Sequence, residues 1–485
     1  MATTFINTIS FSKTNPIDFS NDNNANSILI LGYTMGFFGE LNENNEIEIY
    51  DKNEIVMRNL KKLIKWVIDG KNICIACMIE GSSKNREKMK KNKDYIAYHE
   101  YYSALKRYVK NFLKHMGVKA KRKEIFDLYF GNKEELQDGI NRNYINMKFD
   151  YIIQNPPYNG SMHLDFFQYG LDKLNEGGRM VIIEPATWLI NVRKNGKAKT
   201  YDAIKERING HIESVVIENL NAEFGVAVNA PFAITTIDMS KTFDTIDYTC
   251  FGELRKVKSV YDCNLVGEYN VIWSILEKVQ SFDNMMKAHI TNNSIDGKNY
   301  IQYNEILTTI LCWHNTDYLT AYAWDSLYET TANGDYFNQF TKVGMNMNVE
   351  TPISNVIPKR RLAGGGKSKI IRYSDKNADC IYGTQTELEN WKHFIFNNKL
   401  PLFLNIVLTI DQNNNSKEFL PWLVDKQYTD DEINKLFGFT DEEIKLIDTT
   451  IKKYERNSPW FKRYMCGKDA VTDEEVNNFI AEISK

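Results

Sequence analysis

The stretch FDYIIQNPPYNGSMHLDFF, residues 149–167, decides the fold. A mostly apolar run of strand length ends at Asn155, two prolines follow, and apolar residues then recur at helical spacing. Two consecutive prolines remove two backbone N–H groups and fix φ, so a strand must end there. The sequence therefore predicts a buried strand that leaves its sheet through a stiff turn.

Short apolar runs alternate with helical patterns on both sides of this stretch, which is typical of βαβ units and a parallel sheet. The predicted strands are Ile73–Ile79, Tyr95–Tyr98, Ile125–Phe130, 149–154, Met180–Ile183, Val215–Ile217, Phe224–Val228 and Phe232–Ile237. The predicted helices span about 53–70, 99–116, 164–174 and 201–208. The fold class expected for this part of the chain is α/β, with a Rossmann-like, mostly parallel sheet.

Changes in pattern along the chain predict three segments. Residues 1–50 form an irregular N-terminal extension that carries a strand or two around the apolar segment Ile28–Gly32, 51–245 form the α/β domain, and 246–485 form a mixed α+β domain with a helical C-terminal end. Capping boxes are predicted in that helical end at Thr429/Glu432 and at Thr440/Glu443.

Composition limits the protein class. The net charge of −3 over 485 residues argues against a uniformly basic coat for nucleic acid. No signal peptide and no apolar run of about 18 residues is present, and the seven cysteines are scattered, which predicts a cytoplasmic protein without disulfides or membrane spans. Cys74 and Cys77 lie in an apolar run without a second ligand pair, so buried strand thiols are expected and no metal site is predicted.

The Asn155-Pro156-Pro157-Tyr158 turn has a chemistry of its own. Open parallel sheets bind ligands at the carboxyl ends of their strands, where this turn is expected. A stiff turn would present the Asn155 amide oxygen and the Pro156 carbonyl as two acceptors at a fixed separation, beside the aromatic face of Tyr158. Two acceptors localise the lone pair of a planar, ring-conjugated amine, and the aromatic ring holds its plane. The turn therefore predicts a site for an amine on a planar ring.

With this motif the sequence resembles the S-adenosylmethionine-dependent amino-methyltransferases, most closely the gamma class of N6-adenine DNA methyltransferases. The resemblance covers about residues 50–240, and it implies S-adenosylmethionine as cofactor and Asn155 to Tyr158 as catalytic residues. In that family an aromatic ring stacks on the target base, and Phe224, in Asn221-Ala-Glu-Phe224, matches its segment.

The resemblance leaves two assignments open for the cofactor. In the first, Ile73–Gly81 is the cofactor strand and loop, Glu100 binds the ribose hydroxyls, and Asp127 lies near the adenine. In the second, the loop is Leu31–Gly36 with Gly32 and Gly36, and the ribose acid is Asp51. The second loop has two glycines where the first has only Gly81, and glycines let the backbone approach a cofactor. The second assignment leaves about 75 residues between its third strand and Asn155, however.

An enzyme of this kind acts on double-stranded DNA and must turn its adenine out of the stack. The segment 358–372 joins a glycine tip to a cluster of basic residues that could clamp a DNA backbone. These predicted DNA-binding residues are Lys359, Arg360, Arg361, Lys367, Lys369 and Arg372. An ATP-binding P-loop ending at Lys367-Ser368 is rejected, because it needs glycine where Arg361 stands.

The sequence thus predicts a site-specific N6-adenine DNA methyltransferase followed by a target-recognition domain. It would act as a stand-alone enzyme, either beside a separate restriction endonuclease or as a phage-borne protector. Two alternatives stay open. One is a methyltransferase acting on protein glutamine or on RNA guanine with the same motif, and the other is a non-catalytic DNA-binding protein with an eroded cofactor loop.

Overall fold

The computed structural model divides the chain into two compact units. The first comprises Met1–Leu189 with Gly196–Cys263, and the second comprises Ile190–Asn195 with Asn264–Lys485. The structure describes residues 17–19, 25–48, 54–79, 90–118, 125–144, 147–158, 162–190, 198–224, 230–285, strand segments between 290 and 383, 385–408, 419–455, 457–466 and 471–485.

Strands and helices alternate along the first unit. Its strands are β1 (Ser27–Gly32), β2 (Glu40–Leu41), β3 (Ile47–Glu48), β4 (Asn72–Met78), β5 (Asp127–Gly131), β6 (Phe149–Asn155), β7 (Leu174–Pro185), β8 (Ile212–Glu218), β9 (Phe232–Asp238), β10 (Ile246–Cys250) and β11 (Glu253–Val257). Helices along this part of the chain are α1 (Glu54–Ile68), α2 (Lys93–His115), α3 (Lys133–Asn143), α4 (Met162–Lys173), α5 (Thr187–Ile190), α6 (Ala198–Ile208) and α7 (Asn221–Phe224).

Among the described residues, nine of these strands form one sheet in the order β11-β10-β8-β9-β7-β6-β1-β4-β5. The pairs from β5 to β7 are all parallel, whereas β9 runs antiparallel to both β7 and β8. The predicted α/β class with a mostly parallel sheet is confirmed.

The N-terminal segment carries a strand as predicted, but it is wrong as an extension outside the α/β domain, because β1 lies in the middle of this sheet. It pairs with β4 on one side and with β6 on the other. Its residues Ile28 to Leu31 are at most 1% exposed, as expected for a strand covered on both faces. The predicted boundary at 245 also moves, because β10 and β11 join the same sheet and the first unit ends at Cys263.

The predicted strand at Tyr95–Tyr98 is also wrong, since these residues lie in α2. The helix buries Tyr98, Tyr102, Leu105 and Val109, which recur at three- and four-residue spacing and pack into the core. Asn92 caps its start, and Gly117 follows its end with a φ of 74°. The aromatic residues that suggested a strand are therefore the buried face of a helix.

The second unit combines antiparallel strands with helices. Its strands are β12 (Ile290–Thr291), β13 (Asn293–Ile295), β14 (Lys298–Gln302), β15 (Thr309–His314), β16 (Ser326–Thr331), β17 (Tyr336–Gln339), β18 (Leu362–Ala363), β19 (Ile370–Tyr373) and β20 (Ala378–Gly383). They form two sheets among the described residues, β12-β20-β15-β16-β17 and β13-β14-β19-β18. The helices are α8 (Tyr269–Gln280), α9 (Gln385–Asn397), α10 (Lys399–Leu408), α11 (Asp430–Phe437), α12 (Asp441–Tyr454), α13 (Pro459–Cys466) and α14 (Asp473–Ile483).

The helical end of the second unit forms as the sequence predicted. Both capping boxes are present. The Thr429 and Thr440 side chains each accept a hydrogen bond from the backbone N–H of the glutamate three residues later. The carboxylate of that glutamate accepts in turn from the backbone N–H of the threonine. A third box, at Thr472 and Glu475, starts α14. No helix of the described residues is both long and apolar enough to cross a bilayer.

Candidate functional site

The site lies where the order of parallel strands reverses. The first five long strands along the chain are β1, β4, β5, β6 and β7. In the sheet they stand in the order β5-β4-β1-β6-β7, so the reversal falls between β1 and β6. Chains that leave neighbouring strands at such a point run to opposite sides of the sheet and open a crevice at its carboxyl edge, where ligands bind. The Asn155-Pro-Pro-Tyr turn leaves β6 at this edge, and the turn after β1 leaves beside it.

The two turns approach each other closely at Gly32. Gly32 lies opposite Asn155 in the β1–β6 register, and the Tyr33 N–H donates to the Asn155 carbonyl at 2.6 Å. A Cβ on Gly32 would lie 2.1 Å from that carbonyl oxygen and 3.1 Å from the Pro156 Cα. The φ of Gly32 is also 108°, a conformation that L side chains rarely adopt. Only glycine therefore fits where β1 meets the motif.

The turn after β1 is fixed by contacts of Thr34 with β4 and α2. The Thr34 side chain is fully buried and contacts the Cys77 thiol of β4 at 3.2 Å, and it also hydrogen-bonds the Tyr102 hydroxyl of α2. Two more glycines with positive φ follow, Gly36 at 89° and Gly39 at 110°. Cys74 and Cys77 are free, buried thiols of β4, as predicted.

Within the motif, Tyr158 and Asn155 are joined directly. The Tyr158 hydroxyl donates to the Asn155 Oδ1 at 2.5 Å, and Asn155 is only 6% exposed. Burial raises the pKa of Tyr158 well above its usual value, and the Glu184 carboxyl and the Tyr33 phenol raise it further. Tyr158 is therefore a neutral donor that fixes the orientation of the Asn155 amide.

Phe232 brings the two predicted stacking residues together. Its ring lies 5.1 Å from that of Tyr158 and 5.2 Å from that of Phe224, between centroids. Sequence analysis placed Phe232 in a strand, which is correct, but missed its place between these rings. Phe224 ends the short helix α7 and does not begin a strand as predicted, while residues 225–229 lie outside the described part of the chain.

A buried acid, Glu184, was also missed. It lies near the carboxyl end of β7 and is 0% exposed. Burial raises its pKa well above the usual carboxyl range, and the nearby Trp188 indole acts in the opposite direction. A lone glutamate at the end of the apolar run Met180–Ile183 was the sequence signal for it.

The first cofactor assignment does not fit the sheet. Asp127 begins β5, so it lies at the amino edge of the sheet, where Tyr144 hydrogen-bonds to it, and not at the carboxyl edge with Asn155. Glu100 is exposed in the middle of α2 and does not follow a strand. Ile73–Ile79 corresponds to the second strand of the series, because β1 takes the position next to β6.

Several predicted site residues lie outside the described part of the chain. These are Gly81, Asp51, Lys359, Arg360, Arg361, Lys367 and Lys369. Arg372 is described and lies in β19, opposite Tyr300 of β14.

No protein-family model matches the chain, and no curated protein sequence matches it. The solved structures that resemble it include the type I restriction-modification methyltransferase subunit from Streptococcus thermophilus, at 13% identity and a TM-score of 0.28 over 50% of this chain and 46% of that one. They also include an O-methyltransferase from Bacillus cereus in complex with SAH, at 10% identity and a TM-score of 0.23 over 44% of this chain and 74% of that one. The chain thus spans less than half the length of the Streptococcus subunit. At these identities the likeness concerns the fold and assigns no residue a role.

Proposed function

We propose that the protein is an S-adenosylmethionine-dependent DNA methyltransferase that modifies the N6 amine of an adenine turned out of the duplex. The observation that carries this proposal is the position of Asn155-Pro156-Pro157-Tyr158 at the switch point, against the glycine turn after β1. The glycine turn after β1 contains Gly32 and Gly36, which are the cofactor-loop glycines of the second assignment. Residues 264–485 would contain the target-recognition domain.

The turn after β1 fits a nucleotide cofactor. It leaves the carboxyl edge at the switch point, and positive φ at Gly32 and Gly36 lets backbone approach without Cβ atoms. The family resemblance expects the ribose acid one strand-helix step after the glycine turn. With β1 as the first strand, that step ends after β4, where Glu80 is the next residue beyond Ile79 in the sequence. Glu80 itself lies outside the described residues.

S-adenosylmethionine, when bound, supplies an electrophilic methyl group on a sulfonium. The Asn155 Oδ1 and the Pro156 carbonyl accept the two hydrogens of the target amine and localise its lone pair. An amide oxygen has two lone pairs, so Asn155 can accept from the amine while Tyr158 still holds it. The chain contributes positioning and electrostatics, and these residues need form no covalent bond to the substrate.

The direct test is transfer of labelled methyl from S-adenosylmethionine to unmethylated genomic DNA, with the product nucleosides resolved. Labelled N6-methyladenine is the expected product. Label in N4-methylcytosine would overturn the choice of base. If DNA takes up no label although the cofactor binds, the same assay on RNA and on protein would decide between the remaining acceptors, and the DNA proposal would fail.

Substitutions at Glu80 and at Glu100, the ribose acid of the first cofactor assignment, give opposite expectations. We expect Glu80→Ala to weaken S-adenosylmethionine binding about 10- to 100-fold, since hydrogen bonds to a charged group contribute roughly 1.5–3 kcal/mol. Glu100→Ala and Asp127→Ala are the matched controls, and they should bind as wild type does. Calorimetric titration measures all three. Weak binding by Glu100→Ala together with normal binding by Glu80→Ala would contradict the assignment.

A further inference from the structure

Glu184 is a buried acid for which the steps above have no use. Its side chain is 0% exposed, and among the described residues neither carboxyl oxygen has a hydrogen-bond partner. The Trp188 indole N–H lies near it but outside hydrogen-bonding geometry, and it too lacks a partner in the described part of the chain. Burying an unpaired carboxyl costs free energy, so an apolar residue would serve a purely structural role better.

The strand register places Glu184 at the edge that carries the motif. It lies two residues beyond the last β6–β7 pair, Gln154 opposite Ile182, and so level with the start of the proline turn. On its other side it faces Ala233, next to Phe232, whose ring contacts Tyr158. The Glu184 carboxyl also lies within electrostatic range of the Tyr158 phenol, because its ionised form raises the pKa of that phenol. Neighbouring residues of a strand face opposite sides of the sheet, so the Glu184 side chain leaves the face opposite to that of the Phe232 ring. The acid therefore shares the carboxyl edge with the motif and lies within electrostatic range of Tyr158.

Burial raises the pKa of Glu184 and so favours its neutral carboxylic acid form. In that form it has an O–H to donate, which a carboxylate lacks. Carboxylic acids kept neutral by apolar surroundings donate hydrogen bonds in other enzyme sites. Two acceptors, Asn155 and Pro156, are already assigned to the amine, and no donor to the base has yet been assigned among the described residues.

We propose that Glu184 is a specificity-determining residue that donates its O–H to an unprotonated ring nitrogen next to the target amine. The substrate class is an aromatic heterocycle in which an amine neighbours a ring nitrogen, as N6 neighbours N1 on the Watson–Crick edge of adenine. Enzymes that turn bases out of the stack read this edge. The inference rests on the proposed function and adds to it the group that reads the base.

Three variants separate this role from a structural one. Glu184→Met removes the donor at similar volume, Glu184→Gln keeps an N–H donor, and Thr235→Val is the matched control. Thr235 lies opposite Ile182 on the neighbouring strand, is 0% exposed, and has a hydroxyl without a partner in the described residues. Glu184→Met and Thr235→Val should both fold and bind S-adenosylmethionine, with unfolding midpoints no lower than wild type, because each removes an unpaired buried polar group.

The decisive measurement is kcat/KM on a duplex with the mapped recognition site, containing either adenine or 1-deazaadenine at the target position. We expect wild type to lose about 10- to 100-fold on the analogue, which has no acceptor at position 1. Glu184→Met should lose a similar factor on adenine and show no further loss on the analogue. Glu184→Gln should stay near wild type on adenine and keep most of the discrimination, and Thr235→Val should behave as wild type on both.

Full activity of Glu184→Met on adenine, or equal discrimination by wild type and Glu184→Met, would overturn the assignment. If Glu184→Met failed to fold, loss of discrimination in a folded Glu184→Gln would overturn it in the same way. Wild type that methylates no adenine would remove the proposed function as well, whereas an active wild type with an indifferent Glu184 removes this inference alone.

Discussion

Replacing Gly32 with alanine is expected to destabilise the first unit by roughly 3–5 kcal/mol, at the upper end of single substitutions. The new Cβ would lie 2.1 Å from the Asn155 carbonyl oxygen, so β1 and β6 would have to separate at the point where the motif begins. The φ of 108° adds backbone strain. Hydrogen exchange in peptides covering residues 27–33 and 149–156 measures the effect, because the Tyr33 N–H bonds to Asn155.

Gly70→Ala is the matched control for this substitution. Gly70 follows α1 with a φ of 68°, and a Cβ there would meet nothing within 4 Å. It should therefore cost only the backbone term of roughly 1–2 kcal/mol. Equal losses at the two glycines would show that the close approach of β1 to the motif contributes nothing.

The second large effect is expected at Asn155. We expect Asn155→Ala to reduce kcat for methyl transfer about 100- to 1000-fold, the size found when one preorganised polar group is removed from a reacting centre. S-adenosylmethionine binding should remain within a few-fold of wild type, since the amide is assigned to the amine and not to the cofactor. Single-turnover methyl transfer measures the chemical step directly.

Two further variants help to assign the loss of kcat in Asn155→Ala to the motif. Tyr158→Phe keeps the ring but removes the hydrogen bond to Asn155 Oδ1, so it should lose less than Asn155→Ala does. Asn175→Ala is the control, because that amide donates to Asp150 at the amino edge of the sheet. Normal transfer by Asn155→Ala, or a comparable loss in Asn175→Ala, would rule out the role assigned to the motif.

The motif and its strand were predictable because their signals are local. Two consecutive prolines must end a strand, so the end of β6 was predicted to within one residue. Helix α1 and the capping boxes at Thr429 and Thr440 were likewise predictable, since propensity and caps act within a few residues.

Strand order was not predictable, because it depends on pairing between distant segments. The run Ile28–Gly32 has the composition of a buried strand, but spacing along the chain made Ile73–Gly81 look like the first strand. The long α2 fills much of the interval that the spacing argument counted against Gly36. Tyr95 and Tyr98 misled for a related reason, since an aromatic run fits a strand and a buried helix face equally well.

The parts of the site supplied by other strands could not be found from the motif either. Phe232 and Glu184 belong to two different apolar runs, and only the sheet order brings both to the edge where Tyr158 lies. A charged residue at the end of the apolar run Met180–Ile183 was the single sign that this run did more than pack. The charge of Glu184 does not predict which loop or ring its side chain will contact.

The central position of β1 also has a consequence for biosynthesis. This strand emerges from the ribosome early, but its partner β6 is completed about 120 residues later, at Asn155. At ordinary elongation rates that interval lasts roughly 6–25 s. During it, one side of a largely apolar strand has no partner from its own sheet. The nascent chain is therefore most vulnerable to aggregation before residue 155 is made, and a chaperone would have most effect in that window.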